Sequence, residues 1–90
     1  MALFQIRPNS FNPGTTINFD LTETMDVVLT VYDPLGREVV GLVNSRLEAG
    51  YHQVVWDGYD AGGGKMSNGI YTAGIKTPDF TSSIKMLLLK

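Results

Sequence analysis

Ninety residues with 43% hydrophobic and 18% charged side chains can build one modest core, a balance that excludes a disordered chain. The net charge of −2, without any cluster of lysine and arginine, lacks the basic footprint of a nucleic-acid binder. There is no cysteine, so a disulfide framework, a thiolate metal site and a cysteine nucleophile are all excluded. No unbroken apolar run exceeds the four residues of Met86–Leu89, far below the roughly 20 residues of a membrane helix. The opening "MALFQIRP" has no basic n-region and no long apolar h-region, and so does not read as a signal peptide. The chain is expected to be a single domain, residues 1–90, cut from a longer protein.

Short β-favouring runs separated by turn signals about every 8–12 residues predict an all-β, antiparallel sandwich of about seven strands. No helical stripe competes; Asn44–Ala49 is too short and ends at Gly50. The first strand is expected over Leu3–Arg7, followed by the loop "PNSFNPG". "TTINFDL" alternates, with Ile17, Phe19 and Leu21 on one face. "TETM" turns the chain, and "DVVLTVYD" sends Val27, Leu29 and Val31 into the core. In "DPLG", Asp33, Pro34 and Gly36 hold the first, second and fourth places of a type I turn. Gly36 at positive φ then makes a bulged hairpin that returns along "REVVGLV". "NSRLEAG" reads as a connection. "YHQVVWDG" is the fifth strand, with His52, Val54 and Trp56 on one face. "YDAGGGKMSN" is the longest loop. "GIYTAGIK" puts Tyr71, Ala73 and Ile75 on one face; "TPDF" turns, and "TSSIKMLLLK" is the last strand. The expected core contains Phe19, Leu29, Val31, Val54, Trp56, Tyr71 and Met86.

Few residues carry the types needed for chemistry. The single histidine, His52, lies mid-strand beside Val54 and Trp56, where a packed ring is the simpler reading than a triad member. Asp57 and Asp60 in a glycine-rich loop are the residues a calcium ion would use, but two acids fall short of a dedicated cage. The plainer reading is that Asp57 caps a turn while Gly58 and the three following glycines supply positive φ. "GGGKMS" precedes a strand and not a helix, unlike a phosphate-binding loop. Glu23 and Asp26 are two carboxylates in a turn with no pocket implied. No enzyme and no cofactor is expected. Trp56, near Tyr51 and Tyr59, could offer a sugar platform; one tryptophan in a small sandwich more often fills the core, burying about 150–250 Å².

Four stretches, "NSFNPGTTINFDL", "VYDPLGREV", "LEAGYHQVVWDGYDAGGGKMSNGIY" and "IKMLLLK", follow one another in the order and near the spacing of a known family. The chain resembles the subtype A C-terminal sorting domains of the type IX secretion system of Bacteroidetes and related phyla. It is also similar to the immunoglobulin-like domain of the flagellar hook-capping scaffold, to which those domains are related. Two details depart from the pattern: Ser10 stands where the family loop has a proline, and Thr72 or Ala73 where the sixth strand has a second large aromatic.

The resemblance implies an immunoglobulin-like or fibronectin-III-like sandwich that is monomeric and serves as an address. A cargo domain would precede it in the parent chain. Outer-membrane translocon components would read it in the periplasm, and the cargo would reach the cell surface or the medium. The residues so implied are Lys85, Met86, Leu87, Leu88, Leu89 and Lys90, with Asp33, Gly36, Asp57 and Gly58 as structural turns. Along this last strand Ile84, Met86 and Leu88 share one face, whereas Leu87 and Leu89 lie on the other and are expected to be exposed. A structural immunoglobulin-like spacer and a carbohydrate-binding module are the competing readings.

Overall fold

The computed structural model describes residues 7–9 and 15–89. It consists of β1 (Arg7–Asn9), β2 (Thr15–Leu21), β3 (Met25–Tyr32), β4 (Glu38–Leu47), β5 (Gly50–Trp56), β6 (Gly69–Lys76) and β7 (Thr81–Leu88). These form a three-stranded sheet, β1-β2-β5, and a four-stranded sheet, β4-β3-β6-β7, with every pair antiparallel. This is the all-β sandwich expected. In the constant-type immunoglobulin arrangement the fourth strand joins the sheet of the first, second and fifth. Here β4 pairs β3 instead, which is the fibronectin-III-like form of the two expected arrangements.

Alternation decides the faces. Ile17, Phe19 and Leu21 of β2 and Val27, Leu29 and Val31 of β3 point inward and are buried. Tyr71, Ala73 and Ile75 of β6 meet them, together with Met86 and Leu88 of β7 and Trp56 at the end of β5. The expected core residues are all buried except Val54, which is half-buried and packs against the cluster from its edge. Trp56 is 1% exposed, lies edge-on to Tyr71 at 5.0 Å, and donates its indole N–H to the Tyr59 carbonyl at 2.9 Å. Tyr71 completes the pair by donating its hydroxyl to the Ser67 carbonyl at 2.7 Å. Both aromatic polar tips are therefore satisfied, which is the condition for burying them.

Several boundaries differ from expectation. The predicted first strand, Leu3–Arg7, lies outside the described residues except for Arg7. Pro8 and Asn9, read as the start of a loop, are in β1 and pair with Ile17 and Thr16. A proline lacks the ladder N–H, and β1 accommodates it by standing at the end of its sheet. β4 runs through Leu47 and absorbs "NSRL", read as a connection. Backbone pairing with β3 (Asn44 against Val28, Arg46 against Asp26) forms this ladder whatever the side-chain polarity. Asp26 accordingly sits in β3, 3.5 Å from Arg46, and not in the turn with Glu23. β4 also carries irregularities opposite Leu29–Thr30 and Val31–Tyr32, where Leu42 and Val39 have no register partner. Such bulges are favoured on edge strands, which they twist. The "TPDF" turn is held by Thr77, whose hydroxyl oxygen accepts from the Asp79 and Phe80 N–H groups at 3.2 and 3.1 Å.

Candidate functional site

The four sequence stretches that carry the resemblance converge on one end of the sandwich. Antiparallel pairing brings the end of β1 beside the start of β2, and Thr15 beside Trp56. It sets Gly69 beside Leu88, and Glu38 beside Tyr32. The β3–β4 turn, the β5–β6 loop and the close of β7 thus share this end. The intervening 10–14 stretch, with Ser10, lies outside the described residues.

The β3–β4 turn is built around one carboxylate. Asp33 Oδ1 accepts the Leu35 and Arg37 N–H groups, each at 2.9 Å, and Oδ2 accepts Arg37 Nε at 2.9 Å. The backbone closes with Gly36 N–H to the Asp33 carbonyl and Asp33 N–H to the Arg37 carbonyl. Gly36 has φ +83°, the left-handed value that the bulge requires. The Arg37 N–H, foremost, with the guanidinium and the Leu35 N–H, holds the Asp33 carboxyl below its usual value, against an opposing cost of partial burial.

The β5–β6 loop repeats this device, which the sequence reading missed. Asp60 Oδ1 accepts the Gly62 and Gly64 N–H groups at 3.0 and 2.7 Å. Gly63 N–H bonds the Asp60 carbonyl, Asp60 N–H bonds the Gly64 carbonyl, and Gly63 has φ +85°. "DPLGR" and "DAGGG" are thus the same five-residue loop, aspartate first and left-handed glycine fourth. The shared Asp-x-x-Gly spacing was the available signal. It was masked by three consecutive glycines, all read as positive-φ residues, whereas of the three Gly63 alone has that conformation.

Asp57, in the same loop, accepts the Tyr59 N–H at 3.0 Å, and Gly58 follows at φ +85°. Both residues shape the turn that leaves β5. The loop is tied down at Met66 N–H to the Gly58 carbonyl and at Ala61 N–H to the carbonyl of Val39, the bulged residue of β4. The carboxylates of the calcium candidates Asp57 and Asp60 are both engaged by backbone N–H donors. Among the described residues no three His, Cys, Asp or Glu side chains gather as a metal would need.

β7 divides the candidate recognition residues between two faces. Met86 and Leu88 are buried in the core. Lys85, Leu87 and Leu89 face outward; Leu87 is 41% and Leu89 46% exposed. Leu89 follows the strand's last residue, and Lys90 lies outside the described residues. Lys85, Leu87 and Leu89 are therefore accessible from outside, whereas Met86 and Leu88 hold the strand against the core.

The remaining singled-out side chains are placed elsewhere. His52 is half-buried, stacks on Phe19 at 5.4 Å, and has Nε2 2.7 Å from the Glu48 carbonyl, which requires the proton on Nε2. Trp56 is enclosed and cannot serve as a sugar platform; Tyr51 and Tyr59 are exposed.

The model of the FlgD Ig-like domain family matches residues 5–79. Among solved structures, the chain is similar to the crystal structure of dimeric latent PorU from Porphyromonas gingivalis, with a TM-score of 0.69 and 19% sequence identity. The similarity covers 97% of this chain and 9% of that one, so the chain corresponds to a small part of PorU. No curated protein matches. With the family model covering most of its length, and the sandwich that such a domain requires, this chain belongs to the FlgD Ig-like domain family.

Proposed function

We propose that the domain is a sorting signal of the type IX secretion system, directing a preceding cargo domain across the outer membrane. The observation that carries this reading is the two-faced β7. One face anchors the strand through Met86 and Leu88, and the other presents Lys85, Leu87 and Leu89 at the end where the motif-bearing loops gather. Exposed leucines beside a cation on a rigid strand suit recognition better than stability, since a lone spacer gains little by exposing them. The fold similarity to part of PorU is compatible with this reading. The domain itself performs no catalysis in it, works as a monomer, passes through the periplasm and finishes at the surface or outside the cell.

A structural spacer is the second reading, and the FlgD Ig-like family match favours it. The two separate in one experiment. Residues 1–90 are fused behind a periplasmic reporter in a host with a working type IX system and in its translocon mutant. Sorting predicts surface reporter in the first strain and periplasmic reporter in the second. Equal distributions in both strains reject it and leave the spacer.

A further inference from the structure

The outward face of the four-stranded sheet holds a groove that none of the single motifs foretells. Register aligns Glu38, Tyr32, Thr72 and Lys85 in one row across all four strands. The next row, towards the motif-bearing end, sets Ile70 beside Leu87. Ile70 is 54% exposed, the most exposed apolar residue on β6 and β7. Between these rows lies a groove lined by Tyr32, Pro34, Ile70, Thr72 and Lys85. Its opening has a cause in the sequence. A Cβ on Gly74 would lie 3.1 Å from Tyr32 Cε2, so the tyrosine ring leans over Gly74, away from Ile70. Gly74 makes the space that draws the ring aside.

Charge states what suits this groove. β6 and β7 carry no carboxylate; of their two lysines Lys85 lines the groove, whereas Lys76, paired with Thr81, lies at the opposite end, by the turn that holds Asp79. Asp33 borders the groove, but its oxygens are taken by Leu35 and Arg37. Glu38 stands three strands from Lys85, about 14 Å at the usual strand spacing. With Asp33 paired to Arg37, Lys85 is the charge that the groove lining offers a ligand, beside the apolar Pro34 and Ile70.

We infer that the groove docks an extended segment of a protein partner in which a carboxylate neighbours a large apolar side chain. The carboxylate pairs with Lys85 and the apolar group settles between Tyr32 and Ile70. The inference rests on the sorting reading only for where the partner is met, because the binding chemistry belongs to the groove itself. Recognition then reads β3, β6 and the β3–β4 turn as well as β7, and is lost with the fold.

The test uses the purified chain, labelled for NMR and titrated with a short peptide alternating glutamate and leucine. Controls are the same peptide with glutamine for glutamate, and phosphatidylglycerol vesicles. The expected result is amide shifts confined to Tyr32, Ile70, Thr72, Lys85 and Leu87. Lys85→Glu should weaken binding at least about tenfold, by analogy with truncated charge pairs. Ile70→Thr should weaken it too, while keeping strand propensity, and Val55→Thr on the opposite sheet should leave it unchanged. No localised shift, an equal response to the glutamine peptide, or a response to vesicles alone would each overturn the inference, the last by making the face a membrane contact. Export of the reporter fusion is measured separately, so either reading can fail alone.

Discussion

The two faces of β7 can be separated by stability and export measured on the same variants. Met86 is 2% exposed and Leu88 1%. Truncating either to alanine removes a fully buried side chain and leaves a cavity, which costs about 2–5 kcal/mol. Leu87 and Leu89 are 41% and 46% exposed, so just over half of each side chain is covered. Full burial of a leucine is worth about 1.5–3 kcal/mol. Half of that gives about 1 kcal/mol for each Leu→Ser change, more than a fully exposed site would cost. The double variant Leu87→Ser, Leu89→Ser should therefore lose about 2 kcal/mol, against a typical domain stability of about 5–15 kcal/mol, and stay folded. At roughly 4–8 °C per kcal/mol for a chain of this size, its melting point should fall by about 8–16 °C. Thermal and urea melts of the isolated domain measure this, and the fraction of reporter outside the cell measures export. Folded yet retained in the periplasm is the expected outcome. If Met86→Ala costs no more than Leu87→Ser, the faces are misassigned. If the double variant is folded and exported normally, the outward leucines are not read.

Trp56→Ala should cost about 3–5 kcal/mol in a urea melt, because the ring is enclosed and its edge contact with Tyr71 is lost with it; a loss below about 1 kcal/mol would contradict the burial. Gly36→Ala and Gly63→Ala should each cost about 1–2 kcal/mol, since both sites hold left-handed backbone in the same loop, and similar losses at the two would confirm their equivalence by chemical denaturation. Asp33 gives a pH signature. Its folded-state pKa is depressed, so its stabilisation is fully present above the ordinary value of 3.8 and disappears as the pH falls through the lower folded value. Asp33→Asn should lower the melting point at neutral pH, and the two proteins should converge below pH 3.8; a constant gap across that window would exclude Asp33 as the titrating group.

Strand identity and facing were legible because alternation is a local property: a side chain's face follows from its neighbours two positions away. Ile17–Phe19–Leu21, Tyr71–Ala73–Ile75 and the split of Met86 and Leu88 from Leu87 and Leu89 all came from that period. The Asp33 turn was legible for the same reason, since its bonds close within five residues. The extension of β4 to Leu47 was not, because the backbone of β3 pairs with polar and apolar residues alike. Nor was the choice of sheet for β4, which gives the fibronectin-III-like form. The groove depended on tertiary structure most of all. Tyr32, Ile70 and Lys85 are distant in sequence and adjacent only through the register of β3, β6 and β7. Its opening depends on Gly74, whose missing side chain matters only because Tyr32 lies across it. Local pattern chose each residue's face; inter-strand register, set by long-range pairing, chose its neighbours there.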